Sequence, residues 1–246
     1  MYQHVLQTTF FEGINIQDED FILSRFQKRS LSKNQVLFYQ DDIADEMYII
    51  KSGALQIYRQ DEDRIIVLGH QFPGQTIGEL EAIHHDKKRL ASVSALQNTT
   101  LWMIKIKALD EIIELYPSIL RKMFYVVSDR LAQADRKIEY LAFLDVRIRI
   151  ANLLLDLYAN FGKQVEEGAL INWKVTHQHL GNMVGIGRES ATKALNDFQK
   201  DGTIILKNRQ IIILDFKPLY EIAGGTGSTD DRRWHSQYTY RTPEEF

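Results

Sequence analysis

Between Gln35 and Ile106 the apolar residues fall in short runs: VLFYQ, MYIIK, ALQIYR, RIIVLG, LASVSAL and TLWMIKI. Each run is rich in β-branched and aromatic side chains. Turn signals separate them at Gln40-Asp41-Asp42, Ser52-Gly53, Asp61-Glu62-Asp63, Pro73-Gly74 and Gln97-Asn98. Short strands at this spacing predict an all-β sandwich or barrel, whose core accounts for the apolar residues. On either side the period turns helical. Residues 18–29 (DEDFILSRFQKR) predict a short amphipathic helix, and 107–116 a second, ended by Pro117.

From Ser118 to about Leu144 there is neither Gly nor Pro. Leu120, Phe124, Val127, Leu131, Ala134, Ile138 and Leu141 alternate at steps of four and three. That is a heptad seam, which asks for a partner helix. Met123, Val126 and Tyr140 make a second apolar flank. The helix can therefore lay its flank on its own β domain while its seam meets a second subunit. The competing arrangement is a single helix packed only on its own domain.

Residues 145–161 predict another amphipathic helix closed by Gly162, then a polar loop at 163–168 and a short strand, ALINW. The segment 176–200, THQHLGNMVGIGRESATKALNDFQK, is the most informative. Thr176 is a good N-cap. Leu180 and Val184 give the first helix an apolar face, and Gly185-Ile186-Gly187 is a tight turn where glycine admits a left-handed backbone. A second helix starts at Arg188. It buries Ala191, Ala194, Leu195 and Phe198 and shows Arg188, Glu189, Thr192, Lys193 and Asn196 on the other side. This is the form of a helix-turn-helix, whose polar side can enter the major groove. Asp201-Gly202 ends the helix. TIILK and QIIIL then form a hairpin around Asn208-Arg209, a wing with cations at its tip.

Charge sharpens the picture. The chain of 246 residues has a net charge of −3, which alone argues against a nucleic-acid binder. Residues 171–217, however, hold seven Lys/Arg against four acids, a local +3. No apolar run reaches the roughly 18 residues needed to span a bilayer. The N-terminus lacks the pattern of a secretory signal. The absence of cysteine excludes disulfides and thiolate metal sites and fits a cytoplasmic setting.

The order of β-roll, long helix and winged helix-turn-helix over residues 18–223 resembles the cyclic-AMP receptor protein family, also called CRP/FNR. Pro73-Gly74 followed by Ile77-Gly78-Glu79-Leu80, with Arg89 ten residues after Glu79, is similar to its nucleotide-phosphate cassette. Tyr140 to Val146 resembles its interdomain hinge, and Gly187 to Lys193 its recognition helix. The resemblance implies an α+β protein. Residues 1–117 would be a cyclic-nucleotide-binding-like β-roll, 118–144 a dimerisation helix, 145–223 a winged helix-turn-helix and 224–246 a tail. It implies double-stranded DNA, a second copy and RNA polymerase as partners. Arg188 and Lys193 would donate to guanine edges or phosphates, and Glu189 would accept from a cytosine amino group. Ser190 and Thr192 share that helix face. Thr176, His177 and Gln178 would touch phosphates.

The departures matter as much. Lys193 stands where the family has Arg, and an ammonium cannot make the planar two-pronged contact. Gly187 replaces a serine cap. In the effector pocket Gly78, Glu79, Leu80 and Arg89 remain. The phosphate-binding serine is Leu90, and the Thr-Ser pair that binds adenine falls on Ala134 and Asp135. The pocket is degenerate for cyclic AMP, so the expected protein is a sequence-specific homodimeric regulator independent of that nucleotide. The alternative is a roll gated by another small molecule or by haem, with His70, His84 or His85 as ligands.

Other constellations are weaker. Glu79, Glu81, His84, His85 and Asp86 cluster in sequence, but lack a metal-binding helical spacing and suit a solvated turn. No constellation supports an enzyme, and neither a cofactor nor a metal is expected. A sensing module serving an enzyme or channel would need only the β-roll; the helix-turn-helix and wing favour a regulator. The run Gly224-Gly225-Thr226-Gly227-Ser228-Thr229 has no lysine in P-loop spacing and reads as a linker. The tail carries Trp234, Tyr238, Tyr240 and Phe246, compatible with a disordered end or with a segment that docks on its own chain or a partner.

Overall fold

The short apolar runs become strands. A computed structural model of the protein describes residues 2–224 and 232–234. Its first eight strands are β1 (Gln27–Leu31), β2 (Val36–Phe38), β3 (Glu46–Ser52), β4 (Leu55–Asp61), β5 (Arg64–Gln71), β6 (Thr76–Ile77), β7 (Ser92–Ala95) and β8 (Thr99–Lys105). They make two four-stranded sheets, ordered β1-β8-β3-β6 and β2-β7-β4-β5. Successive strand residues face opposite ways, and β3 uses this to feed two cores. Met47 and Ile49 join one cluster; Tyr48 and Ile50 join the other. The first cluster is closed by Ile22 of helix α1 (Glu19–Leu23), by Leu109 and Ile112, and by Ile119 and Met123. A short helix α2 (Glu79–Ile83) follows β6, and α3 (Ile106–Leu115) follows β8.

The helix expected over 18–29 is corrected. It ends at Leu23, because Gln27–Leu31 pairs antiparallel with β8, Gln27 opposite Met103 and Leu31 opposite Thr99. Five ladder positions and a buried Leu31 outweigh a helical spacing that was amphipathic only over its first turns.

Helix α4 runs from Ser118 to Phe143. Met123, of the second apolar flank, is buried in the roll's core with Ile119, while Val126 and Tyr140 of that flank are half-buried. The seam faces outward. Leu120, Phe124, Leu131 and Ile138 have exposures of 47, 71, 62 and 64 %. Ala134 is exposed, while Val127 and Leu141 are half-buried.

The chain divides into two compact units. One holds the residues up to Asp63 with Val67–Leu131; the other holds Arg64–Ile66 and the chain from Ala132 onward. In the second unit, α5 (Val146–Phe161) is capped by Asp145, whose side chain accepts from Ile148 N at 2.9 Å. Arg149 braces the turn before it, donating to the carbonyls of Leu144 (2.8 Å), Leu141 (3.1 Å) and Val184 (3.4 Å). Strands β9 (Gly162–Val165) and β10 (Gly168–Ile171) form a hairpin. The loop expected at 163–168 is thus corrected to a hairpin that turns only at residues 166 and 167: its polar residues lie at a sheet edge, where pairing needs no apolar pattern. Helices α6 (His177–Val184) and α7 (Arg188–Lys200), strands β11 (Ile204–Lys207) and β12 (Gln210–Ile213), and α8 (Lys217–Ile222) complete the unit. Its sheet is ordered β11-β12-β10-β9. Among the described residues no helix is long and apolar enough to cross a membrane.

Candidate nucleic-acid interface

Thr176 caps α6, its Oγ1 accepting from His179 N at 3.1 Å. The helix ends at Gly185 in the left-handed region (φ 69°). Gly181 also belongs to the turn, though nothing in the sequence pattern singled it out. A Cβ there would stand 2.7 Å from the Ile186 carbonyl oxygen, while Ile186 N donates to Gly181 O at 2.9 Å. Only glycine lets the two helices close so tightly.

Helix α7 starts after Gly187, which provides no side-chain cap. Ala191, Ala194, Leu195 and Phe198 are buried, as the spacing predicts. Arg188, Glu189, Ser190, Lys193 and Asn196 are exposed, and Thr192 is half-buried. The exposed face forms a shallow concavity of about 580 Å³. A second cleft, of about 540 Å³, lies between the start of α6 and the wing, lined among others by Thr176, His177, Gln178, Arg188, Lys207 and Arg209. The two hollows share Arg188, and cations line both: Lys207 and Arg209 on the wing side, Lys193 and Lys200 along α7.

The His177 ring nitrogen Nδ1 lies 3.0 Å from Thr192 Oγ1, and that hydroxyl donates to Arg188 O at 2.8 Å. With the hydroxyl hydrogen committed, Nδ1 carries the donated proton. Nε2 then donates to a phosphate only when the ring is charged. His179 is different: burial beside the Trp173 ring, 5.8 Å between centroids, pushes its pKa down to about 4 and keeps it neutral. The wing turns at Asn208 and Arg209, with φ of 52° and 63°. Positive φ at both central residues is the two-residue hairpin geometry whose twist suits the flanking strands. The wing is tied back through Val175 N, which donates to Arg209 O at 3.1 Å.

The residues expected to form an effector cassette sit on β6, α2 and the loop before β7. Gly78 is left-handed (φ 86°), and a Cβ there would strike Arg89 Nη1 at 2.6 Å. Arg89 is buried. Its guanidinium lies over the Phe38 ring at 4.0 Å, its Nη2 donates to Glu46 O at 2.9 Å, and Glu81 Oε2 stands 3.9 Å from Nη1. Glu79 is completely buried and pairs at 2.8 Å with Arg130 of α4, a partner the sequence did not disclose. Among the described residues, Nε and Nη1 of Arg89 make no hydrogen bond, so the cassette retains donors that fit an anionic group. Leu80 is half-buried; Leu90, Ala134 and Asp135 are exposed. His84, His85 and Asp86 come together on the turn after α2, with ligand atoms within 4.8 Å of one another. The ion pair of His84 with Asp86 is itself a reason for that grouping.

Comparison with known proteins agrees with this geometry. Residues 28–116 match the cyclic nucleotide-binding domain family, and 148–222 the Crp-like helix-turn-helix domain family. The chain is 26% identical over 219 residues to the cyclic AMP receptor protein of Thermus thermophilus, covering 87% of this chain and 96% of that one. It is 29% identical over 211 residues to a CRP-like cAMP-activated global transcriptional regulator of Mycobacterium tuberculosis, covering 85% and 93%. Among solved structures, the c-di-GMP responsive global regulator CLP of Xanthomonas campestris superposes with a TM-score of 0.73 at 27% identity, covering 80% of this chain and 97% of that one. A CooA mutant from Carboxydothermus hydrogenoformans reaches 0.74 at 23% identity, over 85% and 92%, a likeness of fold.

Proposed function

The chain belongs to the CRP/FNR family of transcription regulators, and we propose that it reads a two-fold-symmetric DNA site as a homodimer, without needing cyclic AMP. The observation that carries the DNA reading is α7: one side fully buried, the other offering Arg188, Glu189, Thr192, Lys193 and Asn196 beside a cationic wing. Arg188 and Glu189, at the N-terminal end, would reach base edges, and Thr176, His177 and Gln178 would hold phosphates. The exposed seam of α4 supports pairing of two copies. A promoter-bound cytoplasmic dimer of this kind has RNA polymerase as its expected partner.

Selection of bound DNA from a random pool tests this directly. Two half-sites about 34 Å apart are expected, one helical turn. Arg188→Ala or Glu189→Ala should flatten the preference at one base position, by about 1–3 kcal/mol, or roughly 5- to 150-fold. His177→Ala should weaken all sequences alike. A preference for a single unpaired half-site would contradict the dimer.

Independence from cyclic AMP rests on Leu90, Ala134 and Asp135. The cassette can still meet one negative charge through Arg89. Leu90 offers no hydroxyl to the phosphate, and Ala134 none to adenine. A ligand shifts a conformational equilibrium only through contacts that differ between the two states. One missing bond to the charged phosphate, at about 1.5–3 kcal/mol, and one missing neutral bond, at about 1 kcal/mol, predict at least a tenfold weakening. Titration of cyclic AMP into a DNA-binding assay should leave specific affinity unchanged. A large, saturable gain at micromolar nucleotide would refute this and give Asp135 an adenine-binding role. Response to another small molecule or to haem instead would make the roll an effector-gated switch.

A further inference from the structure

Helix α5 carries three polar residues on a buried face: Asn152, Asp156 and Asn160, spaced by four so that they stack along one side. Polar groups removed from water need partners. The backbone of α5 supplies some: Asn152 Nδ2 donates to Ile148 O at 3.0 Å and Asn160 Nδ2 to Asp156 O at 2.7 Å. The C-terminal segment meets a side-chain oxygen of each of the three. Arg232 Nη1 donates to Asn152 Oδ1 at 3.0 Å and to Asp156 Oδ1 at 3.1 Å. Asn160 clamps the segment's backbone from both directions: its Nδ2 donates to Arg232 O at 3.2 Å, and its Oδ1 accepts from Trp234 N at 3.0 Å. The Trp234 ring meets Phe161 and Trp173 edge to face, at 5.6 and 6.4 Å. Arg232 also lies over the Tyr220 ring of α8 at 5.9 Å, and Gln133 of α4 donates to the Trp234 carbonyl.

We infer that this face of α5 is a peptide-binding site selective for an Arg-x-Trp segment, occupied by the chain's own residues 232–234. Each element of the segment has a counterpart of matching chemistry: a buried carboxylate for the guanidinium, an amide for the backbone between the two side chains, and an aromatic pair for the indole. Burial pushes the Asp156 carboxyl up to about 6, with the Arg232 guanidinium the strongest force against it. Without its arginine Asp156 would lose the strongest force that opposes its burial, so the site favours segments that carry a cation. The segment also joins Gln133 of α4 to α5, across the turn that Arg149 braces. Occupancy therefore fastens the end of α4 to the helices that carry the DNA-binding face.

The test uses the full-length chain and a labelled synthetic peptide of residues 229–238. In the wild type the site is filled intramolecularly at high effective concentration, so peptide uptake should be weak. Arg232→Ala should empty the site and bind the peptide saturably, at least about tenfold more tightly than wild type. A peptide with alanine at the position of Arg232 should not bind. Trp234→Ala, which strands no charge, repeats the measurement if Arg232→Ala does not fold. Uptake of peptide by the wild type equal to that of the variant would show that the segment does not fill the site. A folded variant that takes up no peptide would show that the α5 face is not a receptor at all. Either result overturns the inference.

Discussion

Leu131→Glu is expected to halve the sedimentation mass of the protein. In the single chain Leu131 is 62% exposed and sits at the middle of a run whose neighbours Phe124 and Ile138 are exposed to a similar degree. In a dimer these side chains cover one another. Burying a leucine contributes about 1.5–3 kcal/mol, and two-fold symmetry counts every substitution twice. The glutamate also introduces two facing carboxylates, and an unpaired buried charge costs several kcal/mol more. The sum is enough to dissociate a micromolar dimer. DNA affinity should fall with it by a hundredfold or more, since one recognition helix then holds one half-site alone. Analytical ultracentrifugation and a binding titration read the two effects separately. A variant that remains dimeric would mean that the pairing surface lies elsewhere.

Phe198→Ala should unfold the DNA-binding unit at a much lower temperature than wild type. Phe198 is completely buried on the inner face of α7, with the Arg147 guanidinium 5.0 Å from its ring centroid. Its carbonyl receives Thr203 N at the turn into the wing. Removing a buried phenyl ring typically costs about 3–5 kcal/mol, most of it cavity that neighbours cannot fill. For a unit of this size that corresponds to a drop on the order of 10 °C or more. Lys193→Ala, one turn earlier on the exposed side, should leave stability within about 0.5 kcal/mol and weaken DNA binding. Calorimetry with a parallel DNA titration distinguishes the pair. A Phe198→Ala protein with wild-type stability would mean that α7 is not packed as described.

These expectations follow largely from positions legible in the sequence. The spacing of Ala191, Ala194, Leu195 and Phe198 already assigned α7 an inside and an outside, because a helix repeats every 3.6 residues and a one-residue slip would bury Lys193. Thr176, Gly185 and the Asn208-Arg209 turn were legible for the same local reason: a cap or a positive φ has few sequence solutions. What was not legible depends on partners far along the chain. Nothing near Glu79 announces Arg130, 51 residues later. The strand Gln27–Leu31 depends on β8, about 70 residues away, and local periodicity pointed to a helix instead. The tail presented two alternatives that only packing could separate. Trp234 is docked against Phe161 and Trp173, while Tyr238, Tyr240, Phe246 and most of the linker at 224–229 lie outside the described residues. Asn152, Asp156 and Asn160 could have signalled a partner, as polar residues on an otherwise apolar helix face, but their spacing alone does not say which segment answers them.

The wing tip holds a conflict between folding and binding. Arg209 occupies a left-handed backbone conformation that costs an ordinary L-residue about 1–2 kcal/mol and costs glycine nothing. A chain selected for thermal endurance alone would place glycine there, as hairpins of this geometry usually do. Retaining arginine keeps a cation at the far edge of the cleft, on a backbone that Val175 N holds through the Arg209 carbonyl. On the proposed function, that position is where improvement of one property degrades the other. A screen for heat-resistant variants and a screen for tight operator binding should therefore drive this one codon in opposite directions.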